Sequence, residues 1–340
     1  MTGNAHTRDP FSPIAMTNAI NDMPFVSSGM STLFSWGEEY IPTTMVSMDL
    51  VQGSVQILPV TPRNGEPTPV KREKRQNLAV EIPGYSQTDA IKNTDILGKR
   101  DTGSEAMVTL EQERNRRLRY MGQNIVQTRD KARVKTLDGI VDDGHGNTHL
   151  DLFGLFGQQQ IEIEIDLSAA GFNLNEEIVG LKEIAEDELG GIEFDRFTFL
   201  TGRNANANLR RLDQVAEAAT NPTNLILQRQ DNRKGVRLAE DVDLVGYGRA
   251  KDENGDLFLE TDVGYFIPNG PDFFTTFYGP SDIRDFMGQP REFYAMIEDM
   301  KFKKGEQILV ESFMLNIARR PRAIIKVRFV GLTDHTPVRV

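Results

Sequence analysis

The chain has 340 residues, 39 Lys and Arg against 50 Asp and Glu, a formal net charge of -11 and no cysteine. At roughly 100–200 residues per domain this length allows about two domains, and an apolar fraction of 39% is enough to bury a core. The lack of cysteine excludes a disulfide scaffold, a thiol nucleophile and thiolate-ligated zinc, and the acidic balance argues against a surface that coats nucleic acid throughout.

The longest apolar runs, such as residues 225–227 and 308–310, are far shorter than the roughly 20 residues a spanning helix needs. Residues 1–24 show no basic region followed by an apolar one, so no secretory signal is expected. Residues 1–45 are interrupted by Pro10, Pro13, Pro24 and Pro42, yet carry Met16, Ile20, Met23, Phe25, Met30, Leu33, Phe34 and Trp36. Such a segment has too little regular structure to bury those side chains by itself. It reads as an extended arm that packs on a neighbouring chain, with Phe34 and Trp36 as candidate inter-subunit contacts.

Residues 45–60 alternate in hydrophobicity (Val46, Met48, Leu50, then Val55 and Ile57), which predicts a strand with a bulge at Gly53. Residues 77–82 read as its partner. The long connection holds three prolines and the run Lys71-Arg72-Glu73-Lys74-Arg75. A hairpin of this kind has almost no core of its own and must lie on something else.

Residues 109–138 predict one long helix, opened by a capping box at Thr109 and Gln112 and closed at Gly139. Leu118, Met121, Ile125, Thr128 and Ala132 form one narrow apolar stripe. Eight basic residues (Arg114, Arg116, Arg117, Arg119, Arg129, Lys131, Arg133, Lys135) outnumber four acidic ones (Glu111, Glu113, Asp130, Asp138). The expectation is a rod whose other faces meet solvent, nucleic acid or other chains.

Further along, residues 139–157 predict a hairpin, 161–167 a half-exposed strand, and 175–189 an amphipathic helix with Ile178, Leu181, Ile184, Ala185 and Leu189 inward. Between Glu176 and Asp195 eight acidic residues face one lysine. Strands are expected at 194–200, 242–248 and 257–259, a helix at 203–219 and an extended run at 222–228. The last 35 residues read as two strands broken at Arg319-Arg320-Pro321.

Catalytic and metal chemistry finds little support. His145 and His149, with Asp142, Asp143 and Asp151, have a zinc-like i, i+4 spacing, but glycines flank His145 and a turn-rich hairpin explains the same residues. Asp252 to Asp256 resembles part of a calcium loop, but it lacks the twelfth-position glutamate and the flanking helices, so a hairpin turn is the simpler reading. No phosphate loop, nucleophile elbow or dinucleotide fingerprint occurs. No catalytic residue, cofactor or metal ligand is assigned. The basic run 71–75 and the acidic stretch 176–195 are complementary, so the tip of one copy can meet another copy's acidic face. Lys71, Arg72, Lys74 and Arg75 are the candidate contacts.

The order of parts resembles the major capsid proteins of tailed phages, in particular the lambda-type major capsid protein E family. The likeness is carried by Ile41-Pro42-Thr43-Thr44 leading to Leu58, by IKNTDILGKR at 91–100, and by the run from Thr128 through Gly139 to Gly144. It continues with GYFIPNG at 264–270, Gly279-Pro280-Ser281-Asp282, Gly288-Gln289-Pro290, Glu311-Ser312 and Pro321. Pro83-Gly84-Tyr85 departs from the Pro-His that many relatives carry there. The resemblance implies an α+β Hong Kong-type capsid fold with an N-arm at 1–45, an extended loop at 46–100 and a peripheral domain at 101–190. It further implies an axial domain at 191–300 and, at 301–340, strands returning to the peripheral domain with a C-terminal tail. It also implies a non-enzymatic shell protein of the virion, assembled in the host cytoplasm as hexamers and pentamers around double-stranded DNA. A decoration or cement protein, a scaffold and a portal are the further candidate partners. Another virion component, or a soluble enzyme with a disordered N-terminal arm, are the alternatives.

Overall fold

The computed structural model describes residues 12–27, 29–52, 74–97, 109–142, 148–155, 157–189, 194–220, 235–248, 250–252, 255–271 and 273–333. The chain begins with α1 (Pro13–Asn21), α2 (Met30–Leu33) and β1 (Trp36–Tyr40). β2 (Met45–Gln52) and β3 (Lys74–Glu81) form a two-stranded antiparallel ribbon, from Met45 opposite Glu81 to Gln52 opposite Lys74. β4 (Gly84–Lys92) and α3 (Asn93–Ile96) follow.

The long helix α4 (Leu110–Lys135) starts where its capping box places it. The Gln112 amide donates to Thr109 Oγ1 at 3.2 Å, and the Thr109 amide to Gln112 Oε1 at 2.9 Å. Glu111 and Glu113 sit in its first turn and Arg133 and Lys135 in its last, matching the helix dipole. A 3-10 turn over Thr136–Asp138 ends at Gly139, whose φ of 67° and close approach to the Phe153 ring both require glycine.

β5 (Ile140–Asp142) and β6 (Thr148–Asp151) form the expected hairpin, followed by α5 (Leu152–Leu155). β7 (Glu162–Asp166) leads to α6 (Leu174–Leu189), which buries Leu174, Ile178, Leu181, Ala185 and Leu189. β8 (Arg196–Thr201) comes next. The helix expected over 203–219 is two helices, α7 (Arg203–Leu209) and α8 (Asp213–Ala219), broken at 210–212. β9 (Val236–Ala239), β10 (Val242–Gly246), β11 (Val263–Asn269), β12 (Phe274–Tyr278), β13 (Tyr294–Asp299), β14 (Gly305–Ala318) and β15 (Ile325–Val330) complete the chain. The strand expected at 257–259 is only an isolated bridge between Lys251 and Leu257. Gly53 and residues 222–228 lie outside the described residues.

Two sheets organise these elements. A six-stranded sheet runs β7-β15-β11-β8-β10-β9, and a five-stranded sheet runs β1-β12-β14-β13 with β4 also paired to β14. The long strand β14 is the axis of the second. Its Ile308, Val310 and Met314 pack with Leu118, Met121 and Ile125 of α4 and with Met16 and Ile20 of α1. Its Leu315 and Ile317, on the other face, pack with Val46, Val80 and Ile82 at the ribbon root and with Val141 and Leu152. The six-stranded sheet is buried on both faces. Phe197, Phe199 and Phe266 face α6, while Leu200, Tyr265 and Ile267 face a core shared with α4 and the N-terminal segment. Strands covered on both sides lose the alternation of half-exposed ones. The end of α4 is tied to this sheet, because Asp138 accepts from Tyr265 Oη at 2.6 Å and from Lys326 Nζ at 2.8 Å. Burial and the Asp138 carboxylate together raise the Tyr265 pKa, so the phenol stays a donor.

Each sheet draws its strands from distant parts of the chain. β12 and β13, within 191–300, belong to the sheet packed on α4, whereas β7 and α6, within 101–190, belong to the other. β15, within 301–340, also lies in the six-stranded sheet. The segment 46–100 divides too: only β2 and β3 form a ribbon, and β4 is an integral strand beside β14.

Candidate assembly surfaces

Within one chain, α1, α2 and β1 of the N-terminal segment pack against the body. α1 lies on β13, with Ile20 fully buried. The Ala295 amide donates to Thr17 Oγ1 at 2.9 Å, and Asn21 Nδ2 donates to the Phe293 carbonyl at 3.0 Å. Phe25 crosses α4 at Gly122, where a Cβ would come within 2.5 Å of the ring. Gly122→Ala gains about 1 kcal/mol of helix propensity but must displace the ring, at a cost of about 1–3 kcal/mol for overpacking. The expected result is faster proteolysis at residues 22–29 with the rest of the chain protected, measured by limited digestion and mass spectrometry.

Next to that crossing lies a buried polar latch. Ser27 and Ser31 donate to the Asp130 carboxylate at 2.7 and 3.1 Å. Arg133 donates to Ser31 and to Thr276 Oγ1, and its guanidinium stands 4.5 Å from the Trp36 ring centre. Burial, with Arg129 nearby, pushes the Arg133 pKa down to about 10, so it remains charged at neutral pH. β1 then joins the edge of the sheet in parallel with β12, Trp36 beside Phe274 and Tyr40 beside Tyr278, both ring pairs stacked. Phe34 is 3% exposed against Phe274. Within one chain Phe34 is buried and Trp36 half-buried, both against Phe274. The physical reason is the groove between α4 and β12, which takes up the apolar side chains that looked homeless in one dimension. Residues 1–11 lie outside the described residues.

The basic character of α4 is likewise absorbed. Arg114 makes a bidentate pair with Glu306, Arg117 bridges Glu113 and Asp89, and Arg116 also bonds Glu113. Arg129 meets Glu292 and Tyr278, and Lys131 approaches Asp252 at 3.7 Å. Burial opposes the Arg129 charge, yet Tyr278 and Glu292 outweigh it and raise its pKa. Much of the positive charge of the helix is therefore paired within the chain.

Of the four basic tip residues, Lys74 and Arg75 sit on the backbone of β3, opposite Gln52 and Val51. Lys71 and Arg72 lie outside the described residues, as does His145, while His149 is exposed on β6. The acidic helix α6 presents Glu176, Glu177, Glu183, Glu186 and Asp187 to solvent, whereas Glu188 pairs with Arg322. One residue passed over in the sequence stands out. Phe302, on the turn between β13 and β14, is 88% exposed with φ 63°. Its signal was available as an aromatic among lysines, Lys301-Phe302-Lys303-Lys304, between two strand patterns.

With two sheets, a long helix across one of them and a projecting ribbon, the chain matches the model of the phage major capsid protein E family over residues 12–329. The chain belongs to that family. It is a structural protein that forms a capsid shell by self-association and resides in the virion; it is not an enzyme. Solved structures agree on the fold, the Hong Kong-type capsid fold. A prophage protein from E. coli CFT073, assigned as a capsid protein, superposes with a TM-score of 0.56 at 16% identity, covering 93% of this chain and 97% of that one. The capsid of an empty GTA particle gives 0.56 at 8% identity over 90% and 91%. The mature capsid of bacteriophage PhiM1 gives 0.51 at 13% over 87% and 86%. Among curated proteins, none matches the chain.

Proposed function

We propose that copies of this capsid protein close into hexamers and pentamers of an icosahedral shell around double-stranded DNA, in the host cytoplasm, and that the ribbon is the reaching element. The carrying observation is that β2 and β3 pair only with each other among the described residues. Val46, Val80 and Ile82 at their root are packed into the body. An isolated two-stranded ribbon is marginal in water, so its outer length is stable when laid on a neighbour. A contact between unlike surfaces, repeated by rotation, closes into a ring and then a shell. The net charge of -11 fits a container that must not adhere to its contents.

The ribbon's basic residues fit the acidic face of α6 on another copy. Replacing Lys71, Arg72, Lys74 and Arg75 with Ala removes four positive charges. Each rim pair is worth only about 0–1 kcal/mol, but a shell repeats the loss in every copy. The expected result is a sharp drop in particle yield by negative-stain microscopy and sedimentation, with an unchanged thermal midpoint. Equal particle yield rejects the role of the tip, and a wild-type chain that stays monomeric under all assembly conditions rejects the shell reading.

A further inference from the structure

We infer that Phe302 is a docking plug: the Lys301–Lys303 turn of one copy seats its phenyl ring in a pocket at the ribbon root of another copy. The inference rests on the reading that copies of this chain assemble.

The turn is built to present that ring. The Met300 amide donates to the Gly305 carbonyl at 2.9 Å, and the Lys303 amide to the Met300 carbonyl at 3.0 Å. From outside, Asn93 fixes the turn through its amide to the Lys304 carbonyl and its Nδ2 to the Lys303 carbonyl. Gly305 lies so close to β4 that a Cβ would come within 2.3 Å of the Ile91 carbonyl oxygen. Held this firmly, Phe302 and Lys303 both adopt left-handed backbone, at φ 63° and 53°. Strain of that kind persists where the surroundings over-determine it, and it gathers at functional positions. Here it holds a large apolar side chain in water, 88% exposed, among Lys301, Lys303 and Lys304.

The receiving site lies further along the same sheet, midway along β14. Thr44, Glu81, Ile82, Pro280, Asp282 and Phe313 line a pocket of about 150 Å³. A cavity of about 150 Å³ holds one benzene ring. Ile82, Pro280 and Phe313 supply apolar walls, and Glu81 and Asp282 supply negative charge where the lysines of an incoming turn would lie. The charge signs match, and the turn brings a ring of the size the pocket accepts.

A chain cannot fill its own pocket. β14 runs continuously from Gly305 at the turn to Phe313 at the pocket, and its pairing with β4 is unbroken over that stretch. Eight residues of strand separate the two by about 26 Å. Plug and pocket on separate parts of one sheet make a head-to-tail contact, of the type that closes into rings or extends across a shell.

Three variants test this, with the wild-type chain assembled in parallel. Phe302→Gly removes the ring and suits left-handed backbone. It should leave the thermal midpoint unchanged or higher while particle yield falls about tenfold or more, as for a hot-spot aromatic. Lys301→Glu with Lys303→Glu should also reduce yield, and adding Glu81→Lys with Asp282→Lys should restore most of it. Wild-type particles with undiminished Phe302→Gly particles overturn the plug but not the shell. A tip reversal that the pocket reversal never rescues overturns this pocket as the acceptor. A wild-type chain without particles overturns both readings together.

Discussion

Ile125→Pro is expected to abolish the folded chain. Ile125 is 4% exposed in the middle of α4, packed among residues of α1 and the five-stranded sheet. Proline there removes one backbone hydrogen bond and drives its ring into the preceding turn, at about 3 kcal/mol or more. Loss of most of a buried isoleucine's contacts adds about 1–3 kcal/mol. The total approaches the whole stability of a typical domain, about 5–15 kcal/mol. The helix also carries Asp130 and Arg133, the latch for residues 27–36, and Asp138 just beyond its end binds the second sheet. A kink in α4 therefore releases the N-terminal segment and loosens the joint between sheets at once. Soluble expression and the circular-dichroism melt are the measurements; a melt within a few degrees of wild type would contradict this account of α4.

The second large effect falls on the pair Arg114–Glu306. Both side chains are about nine-tenths buried, and the guanidinium grips the carboxylate through two nitrogens. Arg114→Met leaves Glu306 buried without that partner, a loss of about 3–5 kcal/mol. The double variant Arg114→Met, Glu306→Leu removes both charges and keeps comparable volume, so it should recover most of the loss, because a well-packed apolar pair often equals a buried ion pair. Urea midpoints of the unassembled chains decide this. Equal damage in single and double variants would mean that the pair does more than balance its own charges. Glu306 lies one residue after Gly305, so the same pair anchors the base of the Phe302 turn.

The helices were legible because their signals are local. Thr109 and Gln112 mark a start whatever surrounds them, and the spacing of Leu118, Met121 and Ile125 defines a face before any partner is known. The break at Pro321 between β14 and β15 is similarly local. The strands that went unread lack such signals. β1, WGEEY, contains a glycine and two glutamates and is a strand only because β12 offers a parallel edge. β11 contains Pro268, which argues against an inner strand; it is tolerated past the last residue paired with β15, at Phe266. β4 carries four consecutive polar residues, Ser86 to Asp89, and gains its place from nine pairings with β14.

The candidate surfaces divide along the same line. Phe34 and Trp36 were right as apolar residues in need of burial, but a sequence cannot say whether the burying surface belongs to the same chain or the next one. Lys71 to Arg75 were found as a charge run, and Phe302 was passed over because one aromatic among lysines has no periodicity to reveal it.

The sequence by itself determined the composition, the net charge, the two long amphipathic helices and the ordered set of turns that carries the family likeness. These depend on residues close together in the chain. Tertiary structure alone decided which charges remain free, which apolar side chains stay exposed and where one sheet ends and the other begins. Burying a charge costs far more than exposing it unless a partner arrives from a distant segment. So the fates of Arg114, Arg117 and Arg129 on α4 were set by Glu306, Asp89 and Glu292, which only the folded chain brings to them.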